Sequence, residues 1–105
     1  MPGWHLHALS YPSPYVLDAA AAAAEELGFG ITQVDEAGGH IYLTYPRRFG
    51  RKPWIVDIAV TDSGLGSSIL RVGWETAAAV PASWSPVGRQ AARLPRHCQA
   101  FLRSW

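Results

Sequence analysis

Residues 54–61, Trp-Ile-Val-Asp-Ile-Ala-Val-Thr, alternate between two kinds of side chain and decide the fold of this chain. Successive side chains of a strand point to opposite faces, so one row is Trp54, Val56, Ile58 and Val60, and the other is Ile55, Asp57, Ala59 and Thr61. An apolar row behind a mixed row predicts a strand with one buried face. Such strands are typical of an antiparallel sheet that is covered on one side only.

The same alternation extends to the segments on either side of this strand. Residues 40–45 and 69–76 each predict a strand, with apolar rows of Ile41, Leu43 and Tyr45 and of Leu70, Val72 and Trp74. Residues 5–11 and 29–36 predict two more strands. The glycine-containing turns at residues 35–39 and 62–67 join neighbouring strands as hairpins. The sequence therefore predicts five strands.

Two helices complete the pattern. Ser13 is a candidate N-cap before Pro14, and apolar residues at helical spacing continue to Leu27, where Gly28 is expected to end the helix. Ser85 and Pro86 begin a second helix that runs to the end of the chain, and Pro95 is expected to kink or divide it. The fold prediction is an α+β domain in the order β-α-β-β-β-β-α, with a five-stranded antiparallel sheet and both helices on one face.

Size and composition limit the functional classes. The 105 residues predict a single domain over 1–105. Charged residues make up 16% of the chain and the net charge is +1, so there is no strong field to attract a nucleic acid or a membrane. The single cysteine, Cys98, excludes an internal disulfide and is expected to be a small buried hydrophobe. We expect a cytoplasmic protein with no cofactor and no membrane partner.

Three features resemble a known architecture: Tyr11-Pro12-Ser13-Pro14 after the first strand, Leu27-Gly28-Phe29 at the end of the first helix, and the C-terminal helix over residues 89–105. In this order they resemble the helix-grip and TATA-binding-protein-like folds, and small bacterial domains of unknown function built on that plan. The resemblance implies a curved sheet with the C-terminal helix packed against it. Larger helix-grip proteins carry or cyclise lipids and polyketides in a cavity between the two, and no catalytic residue carries over to this chain.

Polar residues of the mixed row form the first candidate site. His5 and His7 are two apart, so both point the same way, and they are expected to share the helix-free face with other polar side chains. The full predicted ligand-binding set is His5, His7, His40, Tyr42, Asp57, Arg71 and Glu75. A His-x-His pair also suits a metal or a general base, although no metal site is predicted. A solvated face is the alternative, since Asp57 and Arg71 as cross-strand neighbours would stabilise the sheet by about 0.2–1 kcal/mol.

The loop between the third and fourth strands forms the second candidate site. Arg47, Arg48, Arg51 and Lys52 surround Phe49, which is typical of an anion or nucleic-acid contact. A pI near 8.0 disfavours a nucleic-acid partner, because such domains are usually more basic.

Apolar residues of the same face favour a third function. Trp4, Trp84 and Trp105 lie at element ends, where they would suit an interface or cap the core. Leu9, Ile55, Ala59 and Ile69 are assigned to the helix-free face. The leading hypothesis is a non-catalytic interaction domain that uses this face for self-association or for a protein partner. The alternatives are a small-molecule binder or small enzyme of helix-grip type, and nucleic-acid binding through residues 47–52.

Overall fold

The structure is a computed structural model that describes residues 2–46, 53–75 and 86–104. Five strands and two helices follow one another as β1 (Pro2–Leu9), α1 (Ser13–Glu26), β2 (Gly30–Asp35), β3 (His40–Tyr45), β4 (Trp54–Gly64), β5 (Ser67–Glu75) and α2 (Pro86–Ser104). This order and the antiparallel sheet confirm the predicted α+β class. The basic loop at residues 47–52, Trp84 and Trp105 lie outside the described residues.

The sheet has the strand order β1-β5-β4-β3-β2, and every neighbouring pair is antiparallel. Strands β2 to β5 form a meander, and β1 pairs with β5 at the far edge. Helix α1 therefore connects β1 at one edge to β2 at the other, crossing the whole sheet. That crossing leaves one sheet face for the helices and one face without them.

The inner face of the sheet is built from the alternating apolar rows. Ile41 pairs with Ile58, which pairs with Val72, and none of the three is exposed to solvent. The remaining predicted members of the rows are also buried, apart from Tyr45 and Trp54, which are partly exposed at the sheet end: Leu43, Val56, Val60, Leu70 and Trp74. These rows confirm the predicted core. Removing their apolar surface from water stabilises the fold by about 25 cal/mol for each Å² buried, which is the main stabilisation of the core.

Helix α1 packs closely on this face because its buried side chains are small. Ala19, Ala20, Ala23 and Ala24 are at most 1% exposed. The helix begins one residue earlier than predicted, with Pro12 rather than Ser13 as the N-cap and no side-chain capping bond. Its end follows the prediction, since Gly28 adopts a φ of +89°.

A Schellman arrangement closes α1. The N–H of Gly28 donates to the carbonyl of Glu25, and the N–H of Phe29 donates to the carbonyl of Ala24 at 2.9 Å. Phe29 is buried, so the turn that ends the helix also anchors the start of β2 in the core.

Helix α2 runs without a break through Pro95. Of the two expected outcomes at this proline, the division of the helix is therefore wrong, and the kink stays a prediction. Val87, Ala91, Leu94, Cys98 and Leu102 lie on its buried stripe. The Gln90 side chain donates to the carbonyl of Leu27 at 3.0 Å, which joins α2 to the end of α1. Within the described ranges, neither helix combines the length and apolar character that crossing a bilayer requires.

Candidate functional site

The side of the sheet away from the helices presents the outward-pointing residues of β1, β3, β4 and β5. Cross-strand partners share a face, so the registers identify the residues of this helix-free face. They are Trp4, Leu6 and Ala8 of β1; Ile69, Arg71 and Gly73 of β5; Ile55, Asp57, Ala59 and Thr61 of β4; and His40, Tyr42 and Thr44 of β3.

Large apolar side chains are concentrated on the helix-free face. Among the residues that the structure describes, eight large hydrophobic side chains are exposed, and five of them lie here with 39% to 70% of their surface exposed. These five are Trp4, Leu6, Tyr42, Ile55 and Ile69. Several large exposed apolar side chains on one face typically mark a site of interaction, because exposing them to water is unfavourable.

A pair of opposite charges lies within this apolar surface. Asp57 is opposite Gly73, and Arg71 is opposite Ala59, so Asp57 and Arg71 are diagonal neighbours on adjacent strands. The Asp57 carboxylate leans over Gly73: a Cβ at Gly73 would lie 2.8 Å from Asp57 Oδ1. The missing side chain thus makes room for the carboxylate beside Trp4, which is opposite Gly73 on the other side.

The aromatic rings of β3 extend the face toward β2. His40 and Tyr42 are stacked, with ring centroids 6.1 Å apart and 9° between the planes. Tyr42 is opposite Asp57, and His40 is opposite Ala59. Four of the seven predicted ligand residues, His40, Tyr42, Asp57 and Arg71, therefore share one face. For Glu75 the structure describes the backbone, which pairs with Pro2, and not the side chain.

The predicted location of His5 and His7 on this face is wrong. His5 is opposite Val72 and His7 is opposite Leu70, and both partners belong to the buried row. The His5 ring packs against the buried ring of Trp74, with centroids 4.9 Å apart. The two histidines therefore point toward α2, and their role as ligand residues stays a prediction.

The error has one physical source. Leu9 was expected on the helix-free face, but it is buried. Burial of Leu9 directs His7 and His5 inward at the period of two, and it directs Leu6 and Trp4 outward. Leu6 was missed as a surface residue for the same reason, since the sequence of β1 offers an apolar side chain on each face.

A separate groove of about 440 Å³ lies at the start of α1, between the β2–β3 turn and the end of β4. Its lining includes three carboxylates, Asp18, Glu36 and Asp62. No group of three or more His, Cys, Asp or Glu side chains in the described part of the chain is arranged to hold a metal ion.

Cys98 fits its predicted structural role. It is fully buried, and burial raises the pKa of its thiol to about 12. Its Sγ donates to the carbonyl of Val16 across the two helices at 3.7 Å. A thiol that stays protonated at neutral pH is a poor nucleophile.

Comparison with known proteins identifies the architecture. No protein-family model and no curated protein sequence matches the chain. Solved structures do match: the di-domain ARO/CYC protein StfQ from the steffimycin biosynthetic pathway has a TM-score of 0.64 at 13% identity, over 91% of this chain and 42% of that one. The adenylate sensor from AMP-activated protein kinase, solved with ZMP, also has a TM-score of 0.64, at 18% identity over 91% of this chain and 97% of that one.

Ara h 8.0201 is a third similar structure, with a TM-score of 0.51 at 10% identity over 100% of this chain and 99% of that one. The chain has a helix-grip-like α+β architecture. Identities this low establish the fold alone, and the chain spans less than half of the StfQ chain.

Proposed function

We propose that the protein is a non-catalytic interaction domain that self-associates through its helix-free sheet face. The observation that supports this most directly is the concentration of exposed large apolar side chains there, on a face with few charges. Association would remove this apolar surface from water, as the helices do on the other side of the sheet.

The charges of the face favour a second copy of the chain as the partner. In a two-fold dimer, a contact between residue i of one copy and residue j of the other is repeated between residue j of the first copy and residue i of the second. The surface must therefore be complementary to itself. The described part of the face carries Arg71 and Asp57, of opposite sign and on adjacent strands. A two-fold axis lying between two stacked sheets, midway between these residues, would place each Arg71 over the partner's Asp57. Stacked sheets are about 10 Å apart, a distance that these side chains together can span.

The alternatives have less support. The residues predicted for a single small-molecule site are divided between the two sides of the sheet. The similar structures include a protein of a biosynthetic pathway and an adenylate sensor, which favours a small-molecule binder as the first alternative. The residues predicted for nucleic-acid binding, Arg47, Arg48, Arg51 and Lys52, lie outside the described part, so this function stays a prediction. The TATA-binding-protein-like relationship and the cytoplasmic location likewise stay predictions.

Sedimentation velocity across a range of protein concentrations tests self-association. Ile55 is 70% exposed on the helix-free face, and burying an isoleucine completely is favourable by about 1.5–3 kcal/mol. Each dimer would bury two copies of Ile55, and only the exposed 70% of each side chain remains to be buried. Ile55→Ser is therefore expected to weaken association by about 2–4 kcal/mol, or roughly 30- to 700-fold in Kd. Leu65→Ser is the matched control, because Leu65 is fully exposed in the β4–β5 turn, away from the face.

A charge exchange tests the two-fold arrangement. Arg71→Asp and Asp57→Lys should each weaken the dimer by placing like charges together, and the double variant should restore it. Folding of each variant is checked by thermal unfolding, because opposite charges at diagonal positions on adjacent strands can also contribute to the stability of a single chain. A wild-type protein that stays monomeric at high concentration would refute the proposal, as would equal effects of the Ile55 and Leu65 substitutions.

A further inference from the structure

A second polar surface lies on the other side of β1. A groove of about 230 Å³ runs between β1 and α2 and is lined by His5, His7, Arg96 and Gln99, with Leu6, Ala92 and Pro95. Four of its side chains can donate hydrogen bonds: two imidazoles, a guanidinium and a carboxamide. None of these lining residues is Asp or Glu, so within the groove the charge of Arg96 is not neutralised.

The wider charge distribution reinforces this local excess. The net charge of +1 conceals a separation of charges along the chain. The residues of α2 include Arg89, Arg93, Arg96 and Arg103 and no acidic residue, and β1 has none either. Five of the eight acidic residues lie on α1, β2 and the β2–β3 turn, where there is no Lys or Arg: Asp18, Glu25, Glu26, Asp35 and Glu36. The elements β1 and α2 therefore carry cationic side chains and no acidic ones, a charge distribution that favours anions over cations at their surface.

The donors are held by rigid elements. His5 is half-buried and its ring packs on Trp74, which restricts its orientation. His7 is two residues further along the same strand and points to the same side. Arg96 and Gln99 are three residues apart on α2, so their side chains leave the helix on neighbouring positions of one face. Strand β1 and helix α2 are both packed on the core, and together they place these four donors in one groove.

We propose that this groove binds an oxyanion, a phosphate or carboxylate group of a small molecule. An arginine fork pairs with two oxygens of such a group, and the imidazole N–H groups and the Gln99 amide can donate to the others. The volume is below the roughly 300 Å³ at which sites for drug-sized ligands begin, so the groove suits a small anion or the anionic end of a larger molecule. Its four donors lie on the helix side of the sheet, and Leu6 is the one lining residue that it shares with the helix-free face, so anion binding does not rest on the self-association proposed above.

Titration of isotopically labelled protein with inorganic phosphate, and separately with acetate, tests the site by NMR. Binding is expected to shift the side-chain resonances of His5, His7 and Arg96 together, with a single dissociation constant for each anion. The anion with the lower dissociation constant is the one that the groove prefers. Ionic strength is held constant with chloride, because general screening would otherwise change with each addition.

Matched arginine substitutions separate a site from general attraction. Arg96→Gln should weaken binding at least about tenfold, because it removes a charged donor that forms short hydrogen bonds. Arg103→Gln changes the same charge on the same helix, outside the groove, and should change the affinity less than about twofold. Chemical-shift changes spread over all arginines, equal effects of the two substitutions, or the absence of binding by both anions would each overturn the proposal.

Discussion

Gly39→Ala is expected to be one of the most destabilising single-methyl additions in this chain. Gly39 lies in the β2–β3 turn with a φ of +70°, a region that residues with a Cβ rarely adopt. A Cβ at this position would lie 2.5 Å from the carbonyl oxygen of Val60, a backbone atom that cannot rotate away. The carbonyl of Gly39 also accepts a hydrogen bond from the Val60 N–H at 2.8 Å, so the turn cannot move from β4 without losing that bond.

The magnitude follows from two contributions. The left-handed conformation costs an alanine about 1–2 kcal/mol relative to glycine. Relieving the contact must displace the turn and weaken a hydrogen bond with a net value of about 1 kcal/mol. The expected loss in the free energy of unfolding is therefore about 2–3 kcal/mol.

Gly64→Ala is the matched control for this substitution. Gly64 also has a positive φ, +87°, but nothing lies within 4 Å of a Cβ built there. It should show the conformational cost alone, about 1–2 kcal/mol, and the effect of glycine on the unfolded chain is common to both variants. Urea unfolding of the wild type and both variants gives the comparison through the midpoints, with unchanged slopes. Equal losses for Gly39→Ala and Gly64→Ala would refute the argument from the contact with Val60.

Two further predictions concern buried polar groups. Ser68 is 1% exposed and its hydroxyl donates to the carbonyl of Tyr11 at 2.7 Å. Ser68→Ala should therefore lower the free energy of chemical unfolding by about 1–3 kcal/mol, whereas Ser63→Ala, at an exposed position, should lower it by under about 0.5 kcal/mol. Equal losses for the two variants would contradict the role of that bond. The pKa of Cys98 is raised to about 12 in the folded protein, so the unfolded thiol loses its proton first as pH rises. Stability should then decrease above about pH 9, by at most about 1.4 kcal/mol per pH unit, and parallel pH profiles for the wild type and Cys98→Ala would contradict this.

Much of the sheet could be predicted because its evidence is local. Over residues 40–45, 54–61 and 69–75 every inward position is apolar or aromatic and most outward positions are polar or small, so only one assignment of faces buries the apolar row. The helix-free group of His40, Tyr42, Asp57 and Arg71 follows from the same alternation. The end of α1 just before Gly28 was predictable, because helices often end at a glycine that adopts a positive φ, as Gly28 does.

In β1, apolar side chains are not confined to one face of the strand. It carries Leu6 on one face and Leu9 on the other, so alternation alone allows either face to be buried. The choice depends on the packing of Leu9 in the core and on the pairing of His5 and His7 with Val72 and Leu70. Those partners are more than 60 residues away in the chain, and no local pattern encodes such a pairing.

The amino-acid sequence by itself determined the fold class, the element order and the inner rows of three strands, because the hydrophobic effect acts on each periodic segment separately. Tertiary structure alone decided that the polar residues form two surfaces rather than one. The antiparallel register of β1 on β5 directs His5 and His7 toward α2 and leaves Asp57 and Arg71 among the exposed apolar residues of the opposite face. A shift of that register by one residue would exchange the two faces of β1, since side chains alternate along a strand.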